Sequence, residues 1–358
     1  MELSIKEKNM QDLSEFRKSM WNKPVLRHLF FELTDRCNLH CRHCFGNFSP
    51  AGSQSLRPDV IERTLESVAS RYTSNEILVN LTGGEPLLYP GIFDVVHMAK
   101  EFCFGVGMIS NGTLINLLAA KRLAQSGLDT IGISLDGVGE VHERFRNVKG
   151  CYSATIMGIY ALKETGFEPE VVTIVHKDNF SRLEEIYEQL RKMEIRSWRI
   201  SNIDPIGRAV KNRNLLLDGK QFMQLLNFIR QKRFDNRNPM EINYGCSHFV
   251  TYEYERMVRN SYFQCGAGTA IGSVLSNGDI SACPNIERRP ELIQGNAYFD
   301  DFTHIWENCF QQFRFDRSDQ CILCRICKHK PVCMGDSAHT WDYETKKPLY
   351  CVAKILEE

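Results

Sequence analysis

LFFELTDRCNLHCRHC, residues 29–44, is the stretch from which the rest of the chain is read. Its first half holds a short apolar run, Phe30–Thr34, of the kind that is buried in a parallel sheet. Its second half places Cys37, Cys41 and Cys44 in one loop directly after that run, with the spacing Cys-x3-Cys-x2-Cys. Three thiolates do not close a structural zinc site, which takes four ligands. They can hold a [4Fe–4S] cube with one iron left open, where a ferredoxin-type site uses four cysteines. His40 and His43 lie among the cysteines, so spacing alone leaves a zinc site of mixed ligands as a second reading.

Outward from this stretch the pattern repeats. Further apolar runs predict strands at Ile77–Thr82, Val106–Ser110, Thr130–Leu135, Glu170–Val175 and Trp198–Asn202. Helical patterns fall between them at Pro58–Arg71, Leu117–Ser126, Ala154–Thr165 and Ser181–Met193. Ser181 with Glu184 three residues on is a capping-box signature for the last of these. Six strand–helix units imply a parallel α/β sheet with right-handed crossovers. A partial (β/α)6 TIM-like barrel and a doubly wound sheet both fit that pattern. All six strand ends are polar or glycine-rich: Asp35-Arg36-Cys37, Gly83-Gly84-Glu85-Pro86, Asn111-Gly112, Ser134 with Asp136, His176, and Ser201-Asn202. In barrels, chemistry gathers at that rim, and a shared site explains six such ends better than loop composition does.

The cysteine loop after the first strand, together with Gly83-Gly84-Glu85-Pro86 after the second, resembles the signature of radical S-adenosylmethionine enzymes. One departure is His43, where the family usually has a benzenoid aromatic. The resemblance spans about Leu29 to Arg208 and implies the partial (β/α)6 barrel. It also implies a [4Fe–4S] cluster on Cys37, Cys41 and Cys44, with S-adenosyl-L-methionine on its open iron. By the same resemblance Glu85 accepts from the methionyl amine, Ser134 and Asp136 contact the methionyl and ribose groups, and Arg146 pairs with the methionyl carboxylate. A guanidinium suits that last partner by bidentate geometry. Ser110, Asn111 and Asn202 are expected along the adenosine pocket. Gly83 and Gly84 are expected to let backbone approach the ligand closely.

The C-terminal cysteines form a second constellation. Cys265, twelve residues, Gly278, four residues and Cys283 are followed by Cys324-x2-Cys327-x5-Cys333 and by Cys351. This resembles a SPASM domain, a small irregular cysteine-rich domain that carries two auxiliary [4Fe–4S] clusters, and it implies three clusters in all. Gly278 lies in Ser-Asn-Gly-Asp, a hairpin turn. Ser337 stands where the pattern has a further cysteine. Cys321 is extra by that pattern, so it is expected to replace the missing ligand, with Cys246 as the fourth. The expected sets are Cys246, Cys265, Cys283 and Cys321 for the first auxiliary cluster, and Cys324, Cys327, Cys333 and Cys351 for the second. Cys103, Cys151 and Cys309 are read as small core residues. The domain boundaries expected are 1–28 for an N-terminal helical extension, 29–210 for the barrel, 211–243 for a helical linker and 244–358 for the SPASM domain.

Lys+Arg 44 balances Asp+Glu 44 over 358 residues, so no global field attracts nucleic acid or an anionic membrane. No apolar run is long enough to span a bilayer and no secretory signal is visible, which predicts a cytoplasmic protein. The resemblance implies large substrates, and Pro205-Ile206-Gly207-Arg208-Ala209 is similar to the corresponding stretch of ribosomal-peptide maturases. The expectation is an oxidoreductase-type maturase that modifies a precursor peptide, with a thioether or carbon–carbon crosslink as the product. Its reductant is expected to be of flavodoxin or ferredoxin type. A separate leader-peptide-binding protein is a further expected partner. Sulfatase-maturing formylglycine chemistry is the alternative, disfavoured by Pro284 where that branch has an acidic residue. Small-molecule dehydrogenation and a plain electron carrier are the remaining readings. Asp204, His176, Arg199 and Arg208 are rim candidates. Leu13, Phe16 and Met20 mark an amphipathic helix read as a cap on the barrel.

Overall fold

The six apolar runs become six strands of one sheet. The computed structural model describes residues 5–245 and 248–357. After an N-terminal helix, α1 (Ile5–Asn22), come β1 (His28–Glu32), β2 (Leu78–Thr82), β3 (Gly105–Ser110), β4 (Thr130–Ser134), β5 (Glu170–Val175) and β6 (Ser197–Asn202). They pair parallel in chain order. The crossovers carry α2 (Pro58–Arg71), α3 (Ile92–Glu101), α4 (Leu117–Ser126), α5 (Glu140–Arg146) with α6 (Cys151–Glu164), and α7 (Lys177–Phe180) with α8 (Leu183–Lys192).

Burial alternates along β1, β2, β5 and β6. Leu29, Phe31, Val79, Leu81, Val171 and Ile200 are buried in the main core. Alternate residues such as Thr82, Val172 and Ile174 remain partly open because they line a hollow on the other face. Successive side chains of a strand point to opposite faces, so one short strand serves both core and site.

The sheet does not stop at six strands. After α9 (Gly219–Arg233), β7 (Glu241–Tyr244) adds parallel to β6. At the other edge β8 (Ile271–Val274) adds parallel to β1, and β9 (Asp279–Ser281) and β10 (Gly295–Asn296) follow antiparallel. The order is β10-β9-β8-β1-β2-β3-β4-β5-β6-β7. The hairpin turn between β8 and β9 falls where the sequence put it, with Gly278 at φ +87° and its N–H on Leu275 O at 2.8 Å.

Three local expectations are corrected. The Ser181–Glu184 capping box does not form. His176 instead caps α7, with Asn179 Oδ1 accepting from the His176 N–H at 2.8 Å, and α8 starts only at Leu183. Cys103 is exposed rather than a core residue, at φ +63° just beyond α3. The N-terminal helix packs against the Lys330–Cys333 turn, not over the barrel. Its inward stripe is Met10, Leu13, Ser14 and Arg17, while Phe16 is 54% exposed. Met10 and Leu13 join Phe249, Phe263, Val332 and Ala353 in a small core beside Cys265, Cys333 and Cys351.

Candidate active site

A cavity of about 260 Å³ opens at the C-terminal ends of the parallel strands. Cys37, Cys41 and Cys44 line it together with Gly83, Gly84, Asn111, Ser134 and Arg146. The cysteine loop is held by backbone. Cys37 N donates to Ser49 O at 3.0 Å, and Arg42 N donates to Phe145 O at 3.0 Å. Gly84 N and Glu85 N donate to Thr34 O and Arg36 O, each at 2.8 Å.

The glycine pair serves this loop. A Cβ on Gly83 would meet Thr34 O, and one on Gly84 would lie 2.5 Å from the Arg36 carbonyl carbon and 3.0 Å from Cys37 Cβ. The space that their missing side chains leave is filled by the cysteine loop, not by the cavity. Gly207 does the same from the far side of the mouth. At φ +52°, its absent Cβ would sit 2.5 Å from Phe45 Cα. Arg208 N then donates to Cys44 O at 2.9 Å, and the Arg208 guanidinium donates to Cys41 O and Phe48 O. Arg208 is therefore a clamp on the cysteine loop.

Beneath the cavity lies a buried charge pair. Arg146 Nε meets Asp136 Oδ2 at 2.5 Å, and its NH1 donates to Cys41 Sγ at 3.6 Å. Asp136 Oδ1 accepts from Ile174 N at 2.8 Å. Burial pushes the Asp136 carboxyl up, and Arg146 pulls it back down. Glu85 is fully buried, with its carboxylate accepting from Ser110 Oγ at 2.7 Å, Asn111 N at 2.8 Å and Leu87 N at 3.3 Å. Burial raises its pKa, and these donors oppose the rise. Glu85, Pro86 and Asp136 thus stand behind the lining rather than in it. They position Asn111 and Arg146, which do line it.

The three thiols suit an iron–sulfur cluster. Burial pushes Cys37 up to about 12, with Cys41, Glu85 and Cys44 adding to the rise. Cys41 is raised by burial and relieved by Arg146. Thiolates converging on one void require a cation between them, and an N–H aimed at a ligand sulfur is a usual tuning contact. His43, at the departure from the family pattern, still takes an aromatic role. It stacks on Phe145 at 4.3 Å between ring centroids, and Phe145 stacks on His176 at 3.8 Å. Arg199 pairs with Glu170 at 2.8 Å on neighbouring strands.

Sequence reasoning did not find Phe45, Phe48 or Asn285 in the lining. Asn285 comes from the segment after the β8–β9 hairpin, which docks through Arg288 on the buried Glu32 of β1 at 2.5 Å. Cys151 is a buried core residue, as expected. It packs behind Cys37 and Cys41 with Leu39 and Phe48, and burial raises it to about 11.

The C-terminal thiols fall into two groups. Ala338 N donates to Cys265 Sγ at 3.3 Å, and the half-buried Tyr343 phenol is pushed up by desolvation first, with Cys265 and Cys283 adding to the rise. Cys246 lies outside the described residues. Burial raises the Cys324 thiol, and Cys321, Cys351 and Cys327 add to the rise. Cys321 directly precedes the helical turn Ile322–Arg325, which carries Cys324. Between the groups and the barrel lies Asp204. His248 bridges it to Asp336, at 2.7 and 2.6 Å, and His339 reaches its other oxygen at 3.2 Å. Burial alone would raise Asp204, but the two imidazoles hold it well below the usual carboxylate range. Burial alone would lower His248, but the two carboxylates raise it to about 10.

Residues 31–190 match the radical SAM superfamily, and residues 265–328 match the SPASM iron-sulfur cluster-binding domain. The AdoMet-dependent heme synthase of Methanosarcina barkeri is 27% identical, covering 93% of this chain and 98% of that protein. The mycofactocin maturase MftC of Mycobacterium ulcerans is 29% identical over 86% of this chain and 81% of its own. Among solved structures, native anSMEcpe with bound AdoMet and Cp18Cys peptide superposes with a TM-score of 0.74 at 19% identity, covering 93% of this chain and 95% of that one. That superposition shows the shared fold. Among the described residues no helix is long and apolar enough to cross a membrane.

Proposed function

Given that the chain is a radical S-adenosylmethionine enzyme with a SPASM domain, we propose that it oxidatively modifies a ribosomally made precursor peptide. The observation that carries this is the mouth of the cavity. Asn285, two residues beyond Cys283, shares the lining with the cysteine loop, so the mouth is built jointly by the barrel and the SPASM segment. A peptide can place one residue there while the rest of its length stays outside. Relatives named as peptide maturases, and the neighbour solved with a peptide, support the reading. A tetrapyrrole is the second reading, favoured by heme synthase relatives that match nearly the whole chain.

Cys37, Cys41 and Cys44 would hold the substrate-activating cluster. Cys265 and Cys283 with Cys246 would hold a first auxiliary cluster, and Cys324, Cys327, Cys333 and Cys351 a second. When bound and given one electron by an external reductant, the Cys37/Cys41/Cys44 cluster would cleave S-adenosylmethionine to methionine and a hydrogen-abstracting 5′-deoxyadenosyl radical. The protein's own part is placement. Arg146, charged and buried, would offer the guanidinium nitrogen not engaged with Asp136 or Cys41 to a carboxylate at the floor of the cavity. Ser134 and Asn111 offer polar contacts on adjoining strands. Ile109, Val172 and Ile174 line the same walls and exclude water from the reacting atoms.

The test uses anaerobically reconstituted full-length protein with dithionite and S-adenosylmethionine. About twelve irons per chain and 5′-deoxyadenosine are expected. Turnover with a precursor peptide should release a hydrogen pair from the peptide, seen by mass spectrometry. Modification of an iron-coproporphyrin, with peptides untouched, would refute the peptide reading in favour of the second. No 5′-deoxyadenosine from fully loaded protein would refute both.

A further inference from the structure

The N-terminal helix carries a buried cation that its packing does not explain. Arg17 is only 5% exposed on α1. Its NH2 donates to Phe263 O at 2.9 Å, and its NH1 has no hydrogen-bond partner among the described residues. A cavity of about 30 Å³ lies at this point, lined by Arg17, Arg317, Cys265 and Cys333. Arg317 is a second buried guanidinium. Its NH2 donates to Asp336 O at 2.6 Å, and its Nε is also unpartnered.

The carboxylates nearby are already engaged. Asp336, which also lines the cavity, accepts from Phe249 N and His248. Glu255 accepts from Val250 N and Phe263 N and pairs with Arg259. The sulfur-bearing residues Cys265 and Cys333 line the same void as Arg17. One thiol belongs to each C-terminal group. A cluster bound by thiolates is anionic, and its potential follows net charge and hydrogen bonds to its sulfurs. A buried N–H without a partner is costly, so the orphan NH1 fits a site completed by such an anion.

We propose that Arg17 is a positioning and tuning residue for the auxiliary clusters, its guanidinium placed between the Cys265 and Cys333 sites to stabilise their reduced forms. This rests on reading those cysteines as cluster ligands. It gives α1 a role in electron transfer beyond packing.

The test compares Arg17→Gln and Arg17→Lys with the parent, all full-length and reconstituted. Iron is counted, and each cluster's potential is followed by redox titration with electron paramagnetic resonance. The expected result is a downward shift of the auxiliary potentials in Arg17→Gln, partial recovery in Arg17→Lys, and an unmoved Cys37/Cys41/Cys44 cluster. Loss of auxiliary iron in Arg17→Gln, restored in Arg17→Lys, would support the same role. Normal iron with unmoved potentials overturns the inference alone. So does an equal shift of all the clusters, or equal iron loss in both variants. A parent without auxiliary iron overturns the ligand reading and the inference together.

Discussion

Replacing Gly84 with alanine tests whether the cysteine loop is set by the glycine pair beneath it. The new Cβ would lie 2.5 Å from the Arg36 carbonyl carbon and 3.0 Å from Cys37 Cβ. Carbon atoms rest at about 3.5–4.0 Å, so the loop must move by about 1 Å. The neighbouring atoms are backbone, and the loop is also tied down by the 2.8 Å bonds from Gly84 N and Glu85 N. Overpacking of this sort costs about 1–3 kcal/mol. A displacement of about 1 Å at reacting groups costs on the order of 10²-fold in rate. The assay is 5′-deoxyadenosine formed per minute, normalised to iron, with the thermal midpoint of the same sample. Gly105→Ala is the control. Its Cβ would meet the flexible Leu78 Cδ1 at 3.3 Å and Ile77 O at 3.7 Å, at the opposite end of the sheet from the site. The expected outcome is near-parent behaviour for Gly105→Ala and a loss of about 10²-fold for Gly84→Ala. Parent-level iron and turnover in Gly84→Ala would show that the pair does not set the loop.

Three further substitutions follow from the same geometry. Arg146→Gln leaves Asp136 buried without its cation and should cost about 3–5 kcal/mol, read as a lowered thermal midpoint, with part of the loss recovered in Asp136→Asn/Arg146→Gln. His176 is buried and neutral, its pKa pushed down to about 3 by burial first and then by Arg42 and Arg146. Its contribution is full above the unfolded value near 6.5 and is lost as pH falls towards 3, at about 1.4 kcal/mol per pH unit, so His176→Asn should flatten the decline of the midpoint on acidification. An unchanged slope would place that proton elsewhere. Cys321→Ala should leave the iron bound at Cys265 and Cys283 in place, measured by iron count and Mössbauer spectra; loss of that iron would place Cys321 in the first group.

What the sequence makes legible here is local. β5 ends where its apolar run ends, and α2 and α4 match their predicted bounds, because strand-length apolar runs and helix-length amphipathic runs differ in period. Cys37, Cys41 and Cys44 could be grouped because their spacing is within one loop. β7 escaped because Glu-Ile-Asn-Tyr is four residues with polar alternates, and only its pairing with β6 makes it a strand. The group to which Cys321 belongs is not legible in the sequence, because distance along a chain says little about which neighbouring thiols a cysteine faces. The apolar stripe of α1 was visible, but a stripe does not name its partner. The buried position of Arg17 on that helix follows from packing on Phe263 and the Lys330–Cys333 turn, both remote in sequence.

The ladder between β1 and β8 bears on how the two halves work together. His28 to Phe31 pair with Ile271 to Val274, so the strand that ends in the cysteine loop is bonded directly to the hairpin that ends in Cys283. Glu32 extends the junction. It accepts from Ser276 Oγ at 2.7 Å and pairs with Arg288, whose guanidinium lies 5.3 Å from the centroid of the Phe48 ring in the cavity wall. Across the sheet Asp204, just beyond β6, is bonded to His248 and His339. The C-terminal segments are thus tied to the parallel strands both at β1 and at β6. Buried ion pairs add little net stability but penalise misplacement strongly, since breaking one strands a charge. A sheet bracketed in this way holds the cavity mouth and the auxiliary thiols at fixed separation, as the proposed oxidation of a substrate would require.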